Sequence, residues 1–131
     1  MRAIGIRAAL LAVTALAAGC SLPNPTAMEH LDDIPPAEFP AIDAIPDLAA
    51  DSLRTVPHTS LAEISGVSCR RTYGGASPSW EDAVRRTKYR AMQNGANAIT
   101  NLTCGFPEGK SLTTLCLESI RCTASGIRIE K

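Results

Sequence analysis

Cys69, Cys104, Cys116 and Cys122 fall in the C-terminal half of a chain whose N-terminus has the pattern of an export signal. Outside the cytoplasm thiols pair as disulfides, and in a short segment the pairing dictates which stretches can be neighbours. Export is read from the first nineteen residues. Arg2 and Arg7 precede or open an apolar run over residues 8–18, broken only by Thr14, and the small Gly19 precedes Cys20. A run of about eleven residues covers roughly 16 Å as a helix, about half of the roughly 30 Å of bilayer hydrocarbon. It is too short for a permanent span and has the organisation of a cleaved signal peptide, residues 1–19.

The junction Leu16-Ala17-Ala18-Gly19-Cys20 resembles the lipobox of bacterial lipoproteins. That likeness implies a diacylglycerol on the Cys20 thiol, cleavage before Cys20 and acylation of the new amino group. Each buried CH2 contributes about 0.8 kcal/mol, so two or more chains hold a protein stably on a membrane. Ser21 follows, where Asp is the usual inner-membrane retention signal of such proteins, so an outer-membrane location is expected.

Formal net charge is zero, but it conceals two opposed parts. Residues 21–63 carry eight acids against Arg54 alone, whereas residues 64–131 carry ten Lys and Arg against five acids. Seven of the nine prolines, at 23, 25, 35, 36, 40, 46 and 57, also precede the second part. Proline fixes φ and removes a donor, which disfavours long helices and central strands. Large apolar side chains there look isolated, too few to offset the entropy of ordering. Residues 20–60 are accordingly expected to be a lipidated, acidic, disordered tether. Forty residues reach about 35 Å as a flexible coil and up to roughly 120 Å as polyproline. A brief helix over residues 41–53, formed on a partner, is the exception considered.

Residues 61–131 are expected to form one small α+β domain, a helix packed on a short, mainly antiparallel sheet. Near 70 residues a single core is marginal, and disulfides commonly supplement it. Leu61-Ala62-Glu63-Ile64-Ser65-Gly66-Val67-Ser68-Cys69 alternates loosely, as a half-buried strand does. Ser79 suits a helix N-cap, with Glu81 and Asp82 favourable in the first turn and Asn94-Gly95 as the stop. The buried stripe is expected to be Trp80, Ala83 or Val84, Thr87 and Ala91, with Met92 alongside. Residues 96–104 read as a second strand, and residues 111–129 as a third after a turn around Pro107-Glu108-Gly109. If Cys116 and Cys122 share one extended segment they stand roughly 20 Å apart, beyond disulfide reach. Spacing leaves two pairings: Cys69 to Cys116 with Cys104 to Cys122, or Cys69 to Cys122 with Cys104 to Cys116.

These residues together resemble the RcsF family of outer-membrane lipoproteins, which feed the Rcs envelope-stress phosphorelay. The likeness rests on the 61–69 motif, the basic helix Arg85-Arg86-Thr87-Lys88, Gly95-Ala96-Asn97-Ala98-Ile99 and the spacing of Cys104, Cys116 and Cys122. The small-residue motif also looks like the helix-to-strand junction of YbjQ-type domains. The resemblance implies the first pairing, Cys69 to Cys116 and Cys104 to Cys122. It also implies a sensor without turnover, its tether threaded through an outer-membrane β-barrel delivered by the Bam machinery. Stress then lets the periplasmic domain reach an inner-membrane regulator of the IgaA type. The tether here departs from the lysine-containing family pattern in being acidic.

Competing chemistries are weaker. Four thiolates suit zinc, but intervals of 34, 11 and 5 residues contain no CxxC knuckle. A catalytic nucleophile needs a base, and the only histidines, His30 and His58, fall in the expected tether. Neither catalysis, a metal nor a cofactor is therefore expected. Arg85, Arg86, Lys88 and Arg90 are the candidate partner surface, for an acidic protein, for lipopolysaccharide phosphates or for the chain's own acidic segment. Nucleic acid is disfavoured by compartment and by few aromatic residues for stacking. The alternative function is a small-ligand or metal-binding module of YbjQ type.

Overall fold

The computed structural model describes residues 33–107 and 116–131. The expected signal peptide, Cys20, His30 and the first part of the expected third strand lie outside the described residues. In chain order the elements are α1 (Phe39–Asp43), β1 (Asp47–Leu48), β2 (His58–Arg70), α2 (Trp80–Gln93), β3 (Ala98–Gly105) and β4 (Glu118–Ile129). Short 3-10 turns cover Pro36–Glu38 and Ala50–Thr55. The strands form one sheet in the order β1-β3-β4-β2, with β4 antiparallel to both long neighbours and β1 parallel to β3. This is an α+β domain with its main helix packed on a four-stranded mixed sheet and two disulfides.

Local chemistry accounts for α2. The Ser79 hydroxyl accepts from the Asp82 N–H at 3.1 Å, and Glu81 and Asp82 stand in the positive first turn. At the other end Gly95 adopts φ 82°, a conformation glycine enters without a Cβ clash. The Gly95 N–H then reaches the Met92 carbonyl and the Ala96 N–H the Ala91 carbonyl, a Schellman termination. Ala83, Thr87 and Ala91, each four residues apart, make the fully buried stripe. Trp80 does not belong to it. At 47% exposed it sits at the first helical position, with its ring against Phe106 rather than the sheet.

Small residues on this interface let the helix approach the sheet closely. A Cβ on Gly66 would collide with the Thr87 backbone nitrogen and lie 2.7 Å from the Arg86 carbonyl carbon, so α2 crosses β2 there backbone to backbone. Around the crossing Ile45, Ile64, Ala91, Ala96, Ile99 and Ala124 form the main core. Strand β3 contains a bulge between Thr100 and Thr103, with Asn101 at φ 55°, a region asparagine tolerates. The extra residue keeps both Ile99 and Leu102 against that core. On the opposite sheet face Leu53 packs over Ala98 and Ile127.

The largest correction concerns the expected tether. From Ile34 onward the acidic segment is folded against the domain, with Ile34, Ile42, Ile45 and Leu53 buried. The folded domain therefore extends well N-terminal of residue 61 and takes in the segment from Ile34 onward, and β2 begins at His58. Proline prevents long helices but suits the first turn of short ones: Pro36 opens a 3-10 turn and Pro40 stands at the start of α1. Side chains isolated in sequence converge because α1 packs on α2 while β1 lies on the edge of β3, at Asp47 beside Ile99 and Leu48 beside Thr100. The Ile99 N–H donates to the Pro46 carbonyl at 3.0 Å, and Thr100 Oγ1 to the Leu48 carbonyl at 2.7 Å. Of the helix anticipated over residues 41–53, only 41–43 belong to α1; β1 and a 3-10 turn take up much of the remainder, and the segment packs on this chain's own domain. We call residues 33–57 the belt.

Candidate functional site

The cysteines join Cys69 to Cys116 and Cys104 to Cys122, one of the two pairings that spacing leaves open. Cys104 and Cys122 are direct register partners on neighbouring strands, with Cα atoms 4.0 Å apart. Cys122 is fully buried among Ala83, Ile120 and Leu102. Its carbonyl also receives the Thr87 hydroxyl, tying helix to bridge. The other bridge fastens residue 116 beside the end of β2, where the Leu117 N–H donates to the Arg70 carbonyl at 2.8 Å and Arg70 pairs with Glu118. All four sulfurs are consumed, so this site has no thiolate for nucleophilic attack or metal ligation. Among the described residues no group of three or more His, Cys, Asp or Glu is placed to hold a metal ion.

The basic helix face is already engaged. Arg85 holds Asp43 of the belt through Nε at 3.0 Å and Nη2 at 3.1 Å, a two-pronged pair, and Nη2 also reaches Glu81. Its guanidinium lies 4.3 Å from the centroid of the Phe39 ring, adding a cation–π contact from the same belt. Arg86 pairs with Asp82 at 2.9 Å, and Arg90 donates to the Ser65 carbonyl. Lys88 acts on Asp43 through longer-range attraction. Of the partners weighed for this face, the chain's acidic segment is the one seated on it. Charge segregation made that contact legible in part; Phe39 as its aromatic floor was not.

These contacts set a pH dependence. Hydrogen bonding from Arg85, reinforced by its charge and that of Lys88, holds the Asp43 carboxyl below its ordinary value of 3.8, and the reciprocal bond raises Arg85. A depressed carboxylate contributes attachment that is fully present above the unfolded pKa and is lost as pH falls through the folded one. Belt attachment is therefore expected to be insensitive to pH between 5 and 8 and to weaken below about pH 3.8. Proteolysis within residues 44–57 by an acid-active protease, with Asp43→Asn as the comparison, checks this. The Asp43→Asn variant should lose the acid-induced increase in cleavage.

A second exposed feature lies at the disulfide-bearing end. Trp80 and Phe106 meet edge to face with centroids 5.7 Å apart, and Phe106 is 73% exposed. Leu117 is also exposed. Nothing in the local pattern singled out Phe106, because its proximity to Trp80 depends on the reach of β3. Tyr73 is exposed in the loop before α2. His58, expected in a solvated linker, opens β2 with its ring Nδ1 2.7 Å from the Val56 carbonyl.

No protein-family model matches this chain, and no curated protein matches it.

Proposed function

We propose that this chain is an outer-membrane lipoprotein of the RcsF type, a signalling protein that reports envelope or lipopolysaccharide damage by changing the protein it touches. The observation that carries the proposal is the pair of interleaved disulfides, Cys69–Cys116 and Cys104–Cys122, in a domain following a lipobox-like Cys20. Interleaved bridges suit an oxidising periplasm, and consumed thiols suit a contact-making module better than a thiol enzyme. Acylation of Cys20 holds one end at the membrane, while the folded domain carries the surface that meets an inner-membrane regulator of the IgaA type. An outer-membrane β-barrel and the Bam machinery are the proposed partners of the anchored segment.

The test is a Cys20→Ala variant, produced at normal abundance in cells with an Rcs reporter. Loss of the reporter's response to polymyxin damage is expected, because an unanchored domain no longer registers the state of the outer membrane. Signalling by Cys20→Ala that still follows the damage would refute the reading.

A further inference from the structure

The belt covers a surface that has the character of a peptide-binding site. Phe39 lies on Arg85, Ile42 is wholly buried, Asp43 takes the Arg85 fork, Ile45 enters the main core, and the chain then runs extended along β3. Its occupant is thus a short acidic amphipathic turn followed by a strand. We infer that this surface binds a segment of that chemistry from a partner protein, and that the belt is its releasable internal occupant. The partner's identity rests on the signalling role proposed above; the existence of the site does not.

Attachment is built for release. The belt adds only Asp47 and Leu48 to the sheet, whereas β2 and β4 stay in register from Glu63 to Arg70 and again from His58 to Ser60. Neither disulfide includes a belt residue, so both continue to hold the body when the belt leaves. The principal ion pair is at a half-exposed carboxylate, Asp43, where solvent limits its strength. Four buried aliphatic side chains are set against the backbone entropy of the whole belt, which places its opening among local rather than global events. An extended edge beside β3 and a cationic groove then become available for strand addition and for a carboxylate.

Position links release to the anchor. Residues 33–57 lie between Cys20 and β2, so a pull on the membrane side acts first on the belt. These 25 residues span up to about 85 Å at full extension, so releasing them lengthens the reach of the body. One event would therefore uncover the docking surface and bring it farther from the membrane.

The test uses the purified full-length mature chain and a synthetic peptide copying residues 36–49 as the partner surrogate. Substituting Ile42→Asp together with Ile45→Asp should free the belt. The peptide is expected to bind this protein at least tenfold more tightly than the unsubstituted one, and a peptide carrying Asp43→Lys should lose at least tenfold. Equal binding to both proteins by the native peptide overturns the inference. Hydrogen exchange on the unsubstituted protein decides the matter if the double variant does not fold. Belt amides at 42–48 exchanging at least tenfold faster than those of Cys122 and Ala124 support it, and exchange in one step with the core overturns it. If peptide binding and fast belt exchange hold while the Cys20→Ala reporter still follows damage, the signalling reading fails and the site stands.

Discussion

Replacing Gly66 with alanine is expected to lower stability by about 3 kcal/mol, at the upper end for one methyl added to a packed interface. The cause is local and backbone-based. The new Cβ would meet the Thr87 nitrogen and the Arg86 carbonyl carbon, and neither can rotate away as a side-chain tip would. Helix α2 must lift from β2, opening the contacts of Ile64, Ala91 and Ala124. For a domain of this size the loss corresponds to a fall in melting temperature of roughly 15 °C. Two comparisons isolate the mechanism: Gly126→Ala, whose Cβ would meet Ala96 Cβ at 3.4 Å, should cost much less, and Gly105→Ala meets no atom within 4 Å. Thermal unfolding of the three oxidised variants measures it; a Gly66→Ala melt within about 3 °C of the parent, far short of the shift expected from the lost stability, would refute the close-approach argument.

Breaking the Cys104–Cys122 bridge by Cys122→Ser is expected to abolish stable folding at about 37 °C, as loss of a native disulfide commonly does in a small exported domain. Constraining an 18-residue separation in the unfolded chain stabilises by about 3 kcal/mol in the loop-entropy model. Two further penalties follow from the environment. A serine hydroxyl would occupy a wholly buried position among Ala83, Ile120 and Leu102, and an uncompensated hydroxyl costs about 1 to 3 kcal/mol in protein interiors. Cys104 would also keep a free thiol able to attack the Cys69–Cys116 bridge. Steady-state protein level and free-thiol labelling read the outcome. Cys104→Ala with Cys122→Ala removes the hydroxyl and the stray thiol, so it should be less damaged than Cys122→Ser. Normal abundance of Cys122→Ser, with Cys69–Cys116 intact, would show that the bridge is dispensable.

The uneven legibility of this protein follows from the range of its interactions. Helix α2 was readable because Ser79, the first-turn acids and Gly95 act on backbone groups only a few residues away. Trp80 has the spacing of the buried stripe, yet at the first helical position its ring meets Phe106 and stays half exposed. The belt escapes a local reading for a different reason. Its isoleucines are separated by prolines and acids, and their burial depends on surfaces supplied much later in the chain, such as Ala91, Ile99 and Ala124. The basic helix showed its charge in sequence, but Arg85 meets Asp43 across 42 residues and Thr100 meets Leu48 across 52.

The cysteines show most directly where sequence stops and tertiary structure begins. Sequence by itself determined that Cys116 and Cys122 cannot pair within one extended segment, since side chains six positions apart along a strand are far beyond sulfur reach. It also determined the limits of α2, because capping is local. Tertiary structure alone chose between the two remaining pairings: the register of β3 on β4 sets Cys104 opposite Cys122 and leaves Cys116 beside Cys69. It alone made the acidic segment part of the domain. The physical reason is common to both, since register and belt docking are decided by contacts between segments distant along the chain, and no local pattern contains their energies.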